Sequence, residues 1–225
     1  MSSSTFSVLL DLDGTLIDSQ PGILMSCRTA LRALGHVPEP SLDLSAIIGP
    51  PIEDVMRLLL KPFGDDRVVE AVAAYRADYG RNGLYNSLPY SGIAQALAEI
   101  RKAGARLYLA TSKRATFALR ILEHLDLAPL FDGIYGSEDG GALDHKPELI
   151  AHVIERHALA PSNCVMVGDR RYDIVGAHAN KMRALGVLWG YGTRDELEAA
   201  GADGLVAEPA RLPAATLAIA TADLD

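Results

Sequence analysis

Two aspartates at the end of an apolar segment are the first residues of this sequence that could do chemistry. Asp11 and Asp13 follow the apolar residues 6–10, within the stretch DLDGT. Aspartate is disfavoured inside a β-strand, and alternate residues of an extended chain point in different directions. Asp11 could therefore attack a phosphorus atom and bind a metal ion, while Asp13 could protonate a leaving alkoxide. A polar turn with a helix-capping aspartate is the alternative interpretation.

A second acidic motif, GDRRYD, follows the apolar residues 164–167 and contains Asp169 and Asp173. In an open parallel sheet, ligands bind outside the carboxyl ends of the strands. Asp169 and Asp11 are therefore expected at the same edge. Carboxylates that meet there would repel one another without a cation, and oxygen ligands suit Mg²⁺. The two motifs together predict a magnesium site.

Two hydroxyl side chains and a lysine could bind the anionic part of a substrate. Thr111 and Ser112 end the apolar run of residues 106–110 and precede a helical pattern. The Thr111 hydroxyl and neighbouring backbone N–H groups could bind phosphoryl oxygens, although Thr111 as a simple helix cap is the alternative. Lys146 precedes Pro147 at a helix start, where a cation opposes the helix dipole. This placement suggests an anionic partner, and a solvated surface lysine is the alternative.

The elements that must position these residues alternate between short apolar segments and amphipathic helices. This alternation is typical of parallel βαβ units and predicts an α/β fold. The predicted strands cover residues 6–10, 106–110, 133–135, 164–167, 184–188 and 205–207. Helices are predicted at residues 91–103, at 115–125 and from about residue 147, and the alanine-rich residues 209–225 form a last helix or a frayed end.

The alternation stops between residues 20 and 85, where each periodic segment is helical. The segments cover residues 21–34, 51–60 and 67–79. The pattern predicts a helical insert after the first strand. Its turn Gly49-Pro50-Pro51 is stiffened by adjacent prolines, so Pro50 could press on a bound substrate. A turn that faces away from the site is the alternative.

Composition and charge exclude several classes of partner. The chain has 225 residues, 49% apolar, and a net charge of −8. No basic stretch offsets this charge, which argues against binding a nucleic acid polymer. No apolar run is long enough to predict a membrane span, and no secretory signal is visible, so we expect a cytoplasmic protein. Its partner is expected to be a small phosphorylated metabolite, and monomer and homodimer both remain open.

The motifs in their chain order resemble those of the haloacid-dehalogenase-like hydrolase superfamily. These motifs span nearly the whole chain, in the order DLDGT, a strand followed by Thr111, Lys146 and GDRRYD. The resemblance implies a doubly wound, Rossmann-like parallel sheet with an inserted all-helical cap domain. The implied domains are a catalytic core of residues 1–18 and 87–225 and a mobile cap of residues 19–86.

The resemblance also implies a role for each motif residue. Asp11 would be the nucleophile and Asp13 the general acid and base. Mg²⁺ would be held by Asp11, the backbone carbonyl of Asp13, and Asp169, with Asp173 orienting Lys146 or a metal-bound water. The residues expected to bind the phosphoryl group or the rest of the substrate are Thr111, Lys146, Leu12, Ser112 and Pro50.

Further stretches indicate the subgroup. Asp13 is typical of phosphatases and sugar-phosphate mutases, whereas dehalogenases carry no acid there. Residues 48–52 resemble phosphoglycolate phosphatases, and residues 145–149 and 188–192 are similar to bacterial 5′-nucleotidases. Leu149 departs from the Lys-Pro-x-Pro sequence of many relatives, which loosens the assignment to phosphoglycolate.

We therefore predict a magnesium-dependent phosphomonoesterase that forms an aspartyl-phosphate. Its expected substrates are phosphoglycolate or a nucleoside 5′-monophosphate. A sugar-phosphate mutase or phosphotransferase of the same superfamily is the alternative. From a different class, a phospho-accepting signalling module also carries an aspartate, a threonine or serine, and a lysine at strand ends.

Overall fold

A six-stranded parallel sheet organises the part of the chain described by the structure, a computed structural model that covers residues 6–38, 47–138, 141 and 143–221. The strand order is β5-β4-β1-β6-β7-β8, and each neighbouring pair is parallel. A separate antiparallel pair joins β2 and β3. The strands are β1 Ser7–Leu10, β2 Ile17–Asp18, β3 Leu88–Pro89, β4 Arg106–Arg114, β5 Gly133–Ser137, β6 Cys164–Gly168, β7 Arg183–Val187 and β8 Gly204–Val206.

The helices of the described chain either cover the two faces of this sheet or lie in the insert between β2 and β3. They are α1 Gln20–Ala33, α2 Ile52–Leu60, α3 Val68–Tyr79, α4 Ile93–Lys102, α5 Ala115–His124, α6 Lys146–His157, α7 Arg171–Ala179, α8 Arg194–Ala199 and α9 Leu212–Thr221. Successive strand residues point to opposite faces, so Val8 joins the apolar cluster under α4, α5 and α9, whereas Leu9 joins the cluster under α6, α7 and α8. Burial of both faces explains why the strands read as continuous apolar runs. The predicted doubly wound α/β fold is confirmed.

The position of β1 in the sheet determines where the motif residues meet. β1 pairs with β4 on one side and β6 on the other, with Ser7 opposite both Arg106 and Cys164. Because the three strands are parallel and in register, their carboxyl ends lie side by side at one edge. Asp11, Thr111 and Asp169 are therefore neighbours in space.

Apart from small shifts at the ends of elements, the structure differs from the predicted elements at β4, and it contains β2, β3, α7 and α8, which were not predicted. β4 does not end at Ala110 but continues to Arg114, through an irregular register, and Arg114 pairs with Ser137 of β5. The two-residue strands β2 and β3 were not predicted, because two residues are too few to show a period.

The helices α1, α2 and α3 lie between β2 and β3 in the chain, where the helical insert is predicted. The predicted boundaries at residues 18/19 and 86/87 fall beside these two strands, and the division into core and cap domains remains a proposal. Residues 1–5, residues 39–46 of the predicted insert and residues 222–225 of the predicted last helix lie outside the described residues. Among the helices that are described, none has the length and apolar character needed to span a membrane.

Replacing Leu107 of β4 by alanine tests the core. Leu107 is fully buried, and truncating a buried leucine leaves a cavity that costs about 2–5 kcal/mol. We expect the free energy of unfolding, measured with urea, to fall by this amount. The control Val69→Ala changes an apolar side chain that is 80% exposed and should alter it by less than about 0.5 kcal/mol. Equal effects of the two substitutions would contradict the packing described.

Candidate active site

A buried lysine lies at the centre of the site. The Nζ atom of Lys146 is 2.7 Å from the carboxylate of Asp11, 2.7 Å from that of Asp173, and donates a 2.7 Å hydrogen bond to the carbonyl of Ala110. The Lys146 side chain is 4% exposed, so the alternative of a solvated surface lysine is wrong. Burial lowers the pKa of Lys146, but the carboxylates of Asp11 and Asp173 outweigh this and raise it above its ordinary value. Lys146 is therefore a charged group held by two acids.

The carboxylate of Asp169 completes an acidic cluster at the ends of β1 and β6. One oxygen each of Asp11, Asp169 and Asp173 lie within 4.8 Å of one another. Asp169 accepts a hydrogen bond from the Tyr191 backbone N–H at 2.7 Å and a long one from the Thr15 hydroxyl at 3.4 Å. Burial raises its pKa well above the ordinary value, and the charges of Asp11 and Asp173 raise it further. Asp169 is therefore a buried acid whose ionised form needs a cation.

This cluster fits a divalent metal ion. Lys146 pairs with Asp11 and Asp173, whereas the hydrogen bonds to Asp169 come from neutral groups. A cation bound among the three carboxylates would offset their mutual repulsion. All the donor atoms are oxygen, which suits a hard divalent cation.

Two glycines make room for these carboxylates. Gly14 has a φ of +81°, and a Cβ atom there would lie 2.6 Å from Cγ of Asp169 and 2.7 Å from Cδ2 of Tyr191. A Cβ atom on Gly168 would overlap the carboxylate of Asp173. Gly14 is thus required by the close approach of Asp169 from the other motif, and Gly168 by that of Asp173 from its own motif.

Asp13 makes a different contact from Asp11. Its carboxylate is 2.9 Å from Nζ of Lys113, and Lys113 also donates a 2.7 Å hydrogen bond to the hydroxyl of Tyr79 in α3. Burial lowers the pKa of Lys113, but Asp13 and Tyr79 raise it above its ordinary value. Sequence reasoning did not identify Lys113 or Tyr79, since neither belongs to the quoted motifs and they lie far apart in the chain.

Thr111 and Ser112 lie within β4 rather than after it. The residue before α5 is Arg114, so the alternative of Thr111 as a simple helix cap is wrong. The buried Thr111 hydroxyl accepts a 3.3 Å hydrogen bond from the Lys113 backbone N–H. The extension of β4 places Thr111 and Ser112 beside Asp11 and Asp13 on the wall of a cavity.

The cavity lies between the sheet edge and the helical insert. Its core wall includes Asp11, Asp13, Thr111, Ser112 and Lys113, and its insert wall includes Ile48, Pro50, Tyr75, Arg76 and Tyr79. Pro50 thus lines the same cavity as Asp11 and Asp13, on the opposite wall. The side chain of Leu12 is fully buried in the apolar core, so Leu12 can reach a ligand only through its backbone.

Arg170 and Tyr191 connect the site to the insert, and neither was predicted. Arg170 forms an ion pair with Glu196 at 2.9 Å and donates a short hydrogen bond to the carbonyl of Ile48. The Tyr191 hydroxyl accepts a 2.8 Å hydrogen bond from the backbone N–H of Ser19 and donates one of 2.8 Å to Asp18. Arg170 belongs to the motif GDRRYD and Tyr191 to residues 188–192. Neither stretch of sequence reveals these contacts with distant residues.

Replacing Asp169 by asparagine tests the electrostatics. An acid whose pKa is raised in the folded state binds its proton more tightly there, so the metal-free protein loses stability as pH rises through that pKa. Asp169→Asn should therefore raise the Tm of chelator-treated protein at neutral pH. Each tenfold difference in the proton affinity of Asp169 between the folded and unfolded states changes the free energy of unfolding by about 1.4 kcal/mol. For a chain of this length that is about 3 °C in Tm.

The gain should disappear below about pH 3.9, where the acid is protonated in both states. Calorimetry across this pH range measures it, and Asp66→Asn, at an exposed position, is the control. A lower Tm for Asp169→Asn at neutral pH would contradict the electrostatic description.

Comparison with known proteins assigns the chain to a family. Residues 8–187 match the family model described as haloacid dehalogenase-like hydrolase. A 5′-nucleotidase of Pseudomonas aeruginosa is 41% identical over 196 residues, which are 86% of this chain and 87% of that protein. The tyrosine-protein kinase PtkA of Mycobacterium tuberculosis is 40% identical over 192 residues, which are 85% of this chain and 65% of that kinase.

A solved structure agrees with these matches along the whole fold. The crystal structure described as "a predicted phosphatase" from Clostridium acetobutylicum superposes with a TM-score of 0.87 at 33% identity, over 96% of this chain and 100% of that one. The resemblance inferred from the motifs is confirmed. The chain belongs to the haloacid dehalogenase-like hydrolase family.

Proposed function

We propose that this protein is a Mg²⁺-dependent phosphomonoesterase that hydrolyses small phosphorylated metabolites through an aspartyl-phosphate. The observation that carries the proposal is the pair formed by Asp11 and Lys146, in which the buried ammonium lies 2.7 Å from the carboxylate of Asp11, a residue that lines the cavity. The relatives described as a 5′-nucleotidase and as a phosphatase support it.

The first half of the proposed reaction uses Asp11 and Asp13. A carboxylate oxygen of Asp11 attacks the phosphorus atom, and the bond from phosphorus to the leaving oxygen breaks. Asp13, which lies on the same cavity wall, gives its proton to that oxygen, so the product departs as a neutral alcohol. Lys146 neutralises the charge on the oxygens of the transferred group.

The second half returns the enzyme to its starting state. Asp13, now ionised, takes a proton from a water molecule. The oxygen of that water attacks the phosphorus of the aspartyl-phosphate. The bond between Asp11 and phosphorus breaks, inorganic phosphate leaves, and Asp13 is again protonated. Each group thus ends in the protonation state in which it began.

Other residues orient the phosphoryl group and neutralise it. The Thr111 and Ser112 side chains, with the backbone near Leu12, bind its oxygens alongside Lys146. Asp11, the backbone carbonyl of Asp13, and Asp169 would hold Mg²⁺, while Asp173 orients Lys146, whose ammonium lies 2.7 Å away. When bound there, the ion would supply positive charge against the oxygens of the phosphoryl group.

The helical insert would select the substrate, as a cap over the cavity. The core residues bind only the phosphoryl group, so discrimination falls to the opposite wall, where Pro50, Tyr75 and Arg76 lie. Phosphoglycolate and nucleoside 5′-monophosphates are the substrates we propose. The net charge of −8 disfavours a nucleic acid polymer.

A phosphotransferase is the second candidate function, favoured by the 40% identity to a protein described as a tyrosine kinase. The same aspartyl-phosphate would then pass to an acceptor hydroxyl instead of to water. Incubation with labelled substrate and a tyrosine peptide distinguishes the two, because label appears in inorganic phosphate for a phosphatase and in the peptide for a transferase.

Replacing Asp11 by asparagine tests the nucleophile. An amide is a poor nucleophile towards phosphorus, so we expect turnover of p-nitrophenyl phosphate to fall by at least about 10³-fold. Phosphate release from phosphoglycolate and nucleoside monophosphates should fall equally. The control Asp66→Asn should keep wild-type rates. A variant at position 11 that retained a tenth of the activity would rule out the aspartyl-phosphate.

Removing the metal tests the acidic cluster. A chelator should abolish phosphate release, and Mg²⁺ should restore it. Ca²⁺ should not, because its larger and looser coordination shell misplaces the phosphoryl group. Asp169→Ala should raise the Mg²⁺ concentration needed for half-maximal rate by at least about tenfold. Full activity in excess chelator would contradict the proposed metal site.

A further inference from the structure

Lys113 is a largely buried charge, with its side chain 7% exposed, to which the mechanism above gives no task. We propose that Lys113 is a positioning residue that holds Asp13 in place for proton transfer, and that Tyr79 of the helical insert orients Lys113. The inference rests on the proposed function and deepens it, since it links the acid and base of the reaction to closure of the insert over the site.

The contact between Lys113 and Asp13 is well shielded from water. Their side chains are 7% and 13% exposed, and the ion pair measures 2.9 Å. Charge pairs in such surroundings attract more strongly than pairs in bulk water. Lys113 reaches Asp13 because β4 continues past Ala110 into the site. The ammonium therefore restricts the Asp13 carboxyl group to a narrow range of positions, through a hydrogen bond while Asp13 carries the proton that it donates and through an ion pair once Asp13 is ionised.

Tyr79 fixes the other side of the same ammonium. Its hydroxyl lies 2.7 Å from Nζ of Lys113, and its ring centroid lies 4.4 Å from that atom. Tyr79 is 1% exposed and packs against Tyr75 at 5.3 Å and Phe117 at 5.6 Å between ring centroids. The ring is therefore immobilised by its neighbours, and the hydroxyl is held where Lys113 needs it.

These contacts make Asp13 dependent on the position of the insert. Tyr79 ends α3 of the insert, whereas Lys113 and Asp13 belong to the core strands and their loops. If α3 moves away, Lys113 loses the Tyr79 oxygen and regains rotamer freedom. Asp13 is then no longer held for transfer to the leaving oxygen. Proton transfer is thus favoured only when the insert covers the cavity.

The test compares two leaving groups in Lys113→Met and Tyr79→Phe. An alkyl ester such as β-glycerophosphate needs a proton on its leaving oxygen, whereas p-nitrophenolate leaves without one. We expect kcat for the alkyl ester to fall by about 100-fold in Lys113→Met, in the range measured for general acid–base catalysis. On p-nitrophenyl phosphate it should fall less than about tenfold, with KM little changed on both substrates.

Further variants test whether the loss of rate comes from the contact between Lys113, Asp13 and Tyr79. Lys113→Arg keeps the charge and should recover part of the lost rate, whereas Lys102→Met, at an exposed position, should match the wild type. Tyr79→Phe should show the same leaving-group dependence with a smaller loss. The double variant with Tyr79→Phe and Lys113→Met should lose little more rate than Lys113→Met alone, because both substitutions remove the same contact. Equal losses on the two esters, or additive losses in the double variant, would overturn the inference.

Amide hydrogen exchange supplies a readout that needs no turnover. Lys113→Met should accelerate exchange in the last turn of α3, and Lys102→Met should not. Unchanged exchange in Lys113→Met would overturn the link between Lys113 and the insert. A wild type that hydrolysed neither ester would overturn the proposed phosphatase function, and the exchange comparison would still decide whether the insert and Asp13 are linked.

Discussion

The buried ion pairs of Lys146 are the interaction on which the rest of the site depends. Its ammonium joins the end of β1, through Asp11, to the start of α7, through Asp173, and it also binds the backbone of β4 at Ala110. Burial of this charge costs desolvation energy, which the carboxylates of Asp11 and Asp173 outweigh. Replacing such buried ion pairs by apolar residues of similar volume is often neutral or stabilising, so stability alone does not explain why Lys146 lies at the sheet edge.

The fold and the acidic residues could be predicted because they follow from local patterns. A strand buried on both faces reads as a continuous apolar run, and a parallel sheet brings strand ends together, so Asp11 and Asp169 could be placed at one edge. The glycines of the two motifs also follow this logic. Gly14 and Gly168 leave space that another residue's carboxylate fills. The acid that approaches Gly168 is Asp173 of the same motif, whereas the acid that approaches Gly14 is Asp169 of the other motif.

The remaining features depend on contacts between distant segments, which a single sequence does not display. The pairing of Lys113 with Asp13 and Tyr79 joins three separate parts of the chain. The continuation of β4 to Arg114 depends on its partner strand β5, and the apolar pattern stops before it. Tyr191 belongs to a stretch that resembles known relatives, yet its hydrogen bonds to Asp18 and Ser19 arise only in the folded chain.

The strand order has a consequence for how the protein is made. β1 is synthesised first but lies between β4 and β6, so its backbone stays unpaired in the sheet until much later segments leave the ribosome. Contacts so distant in sequence form slowly, because a long loop must close first. A nascent chain that ends before Asp169 carries Asp11 without the other two carboxylates of the cluster, Asp169 and Asp173. Translation of most of the chain is therefore a precondition for the acidic cluster to exist at all.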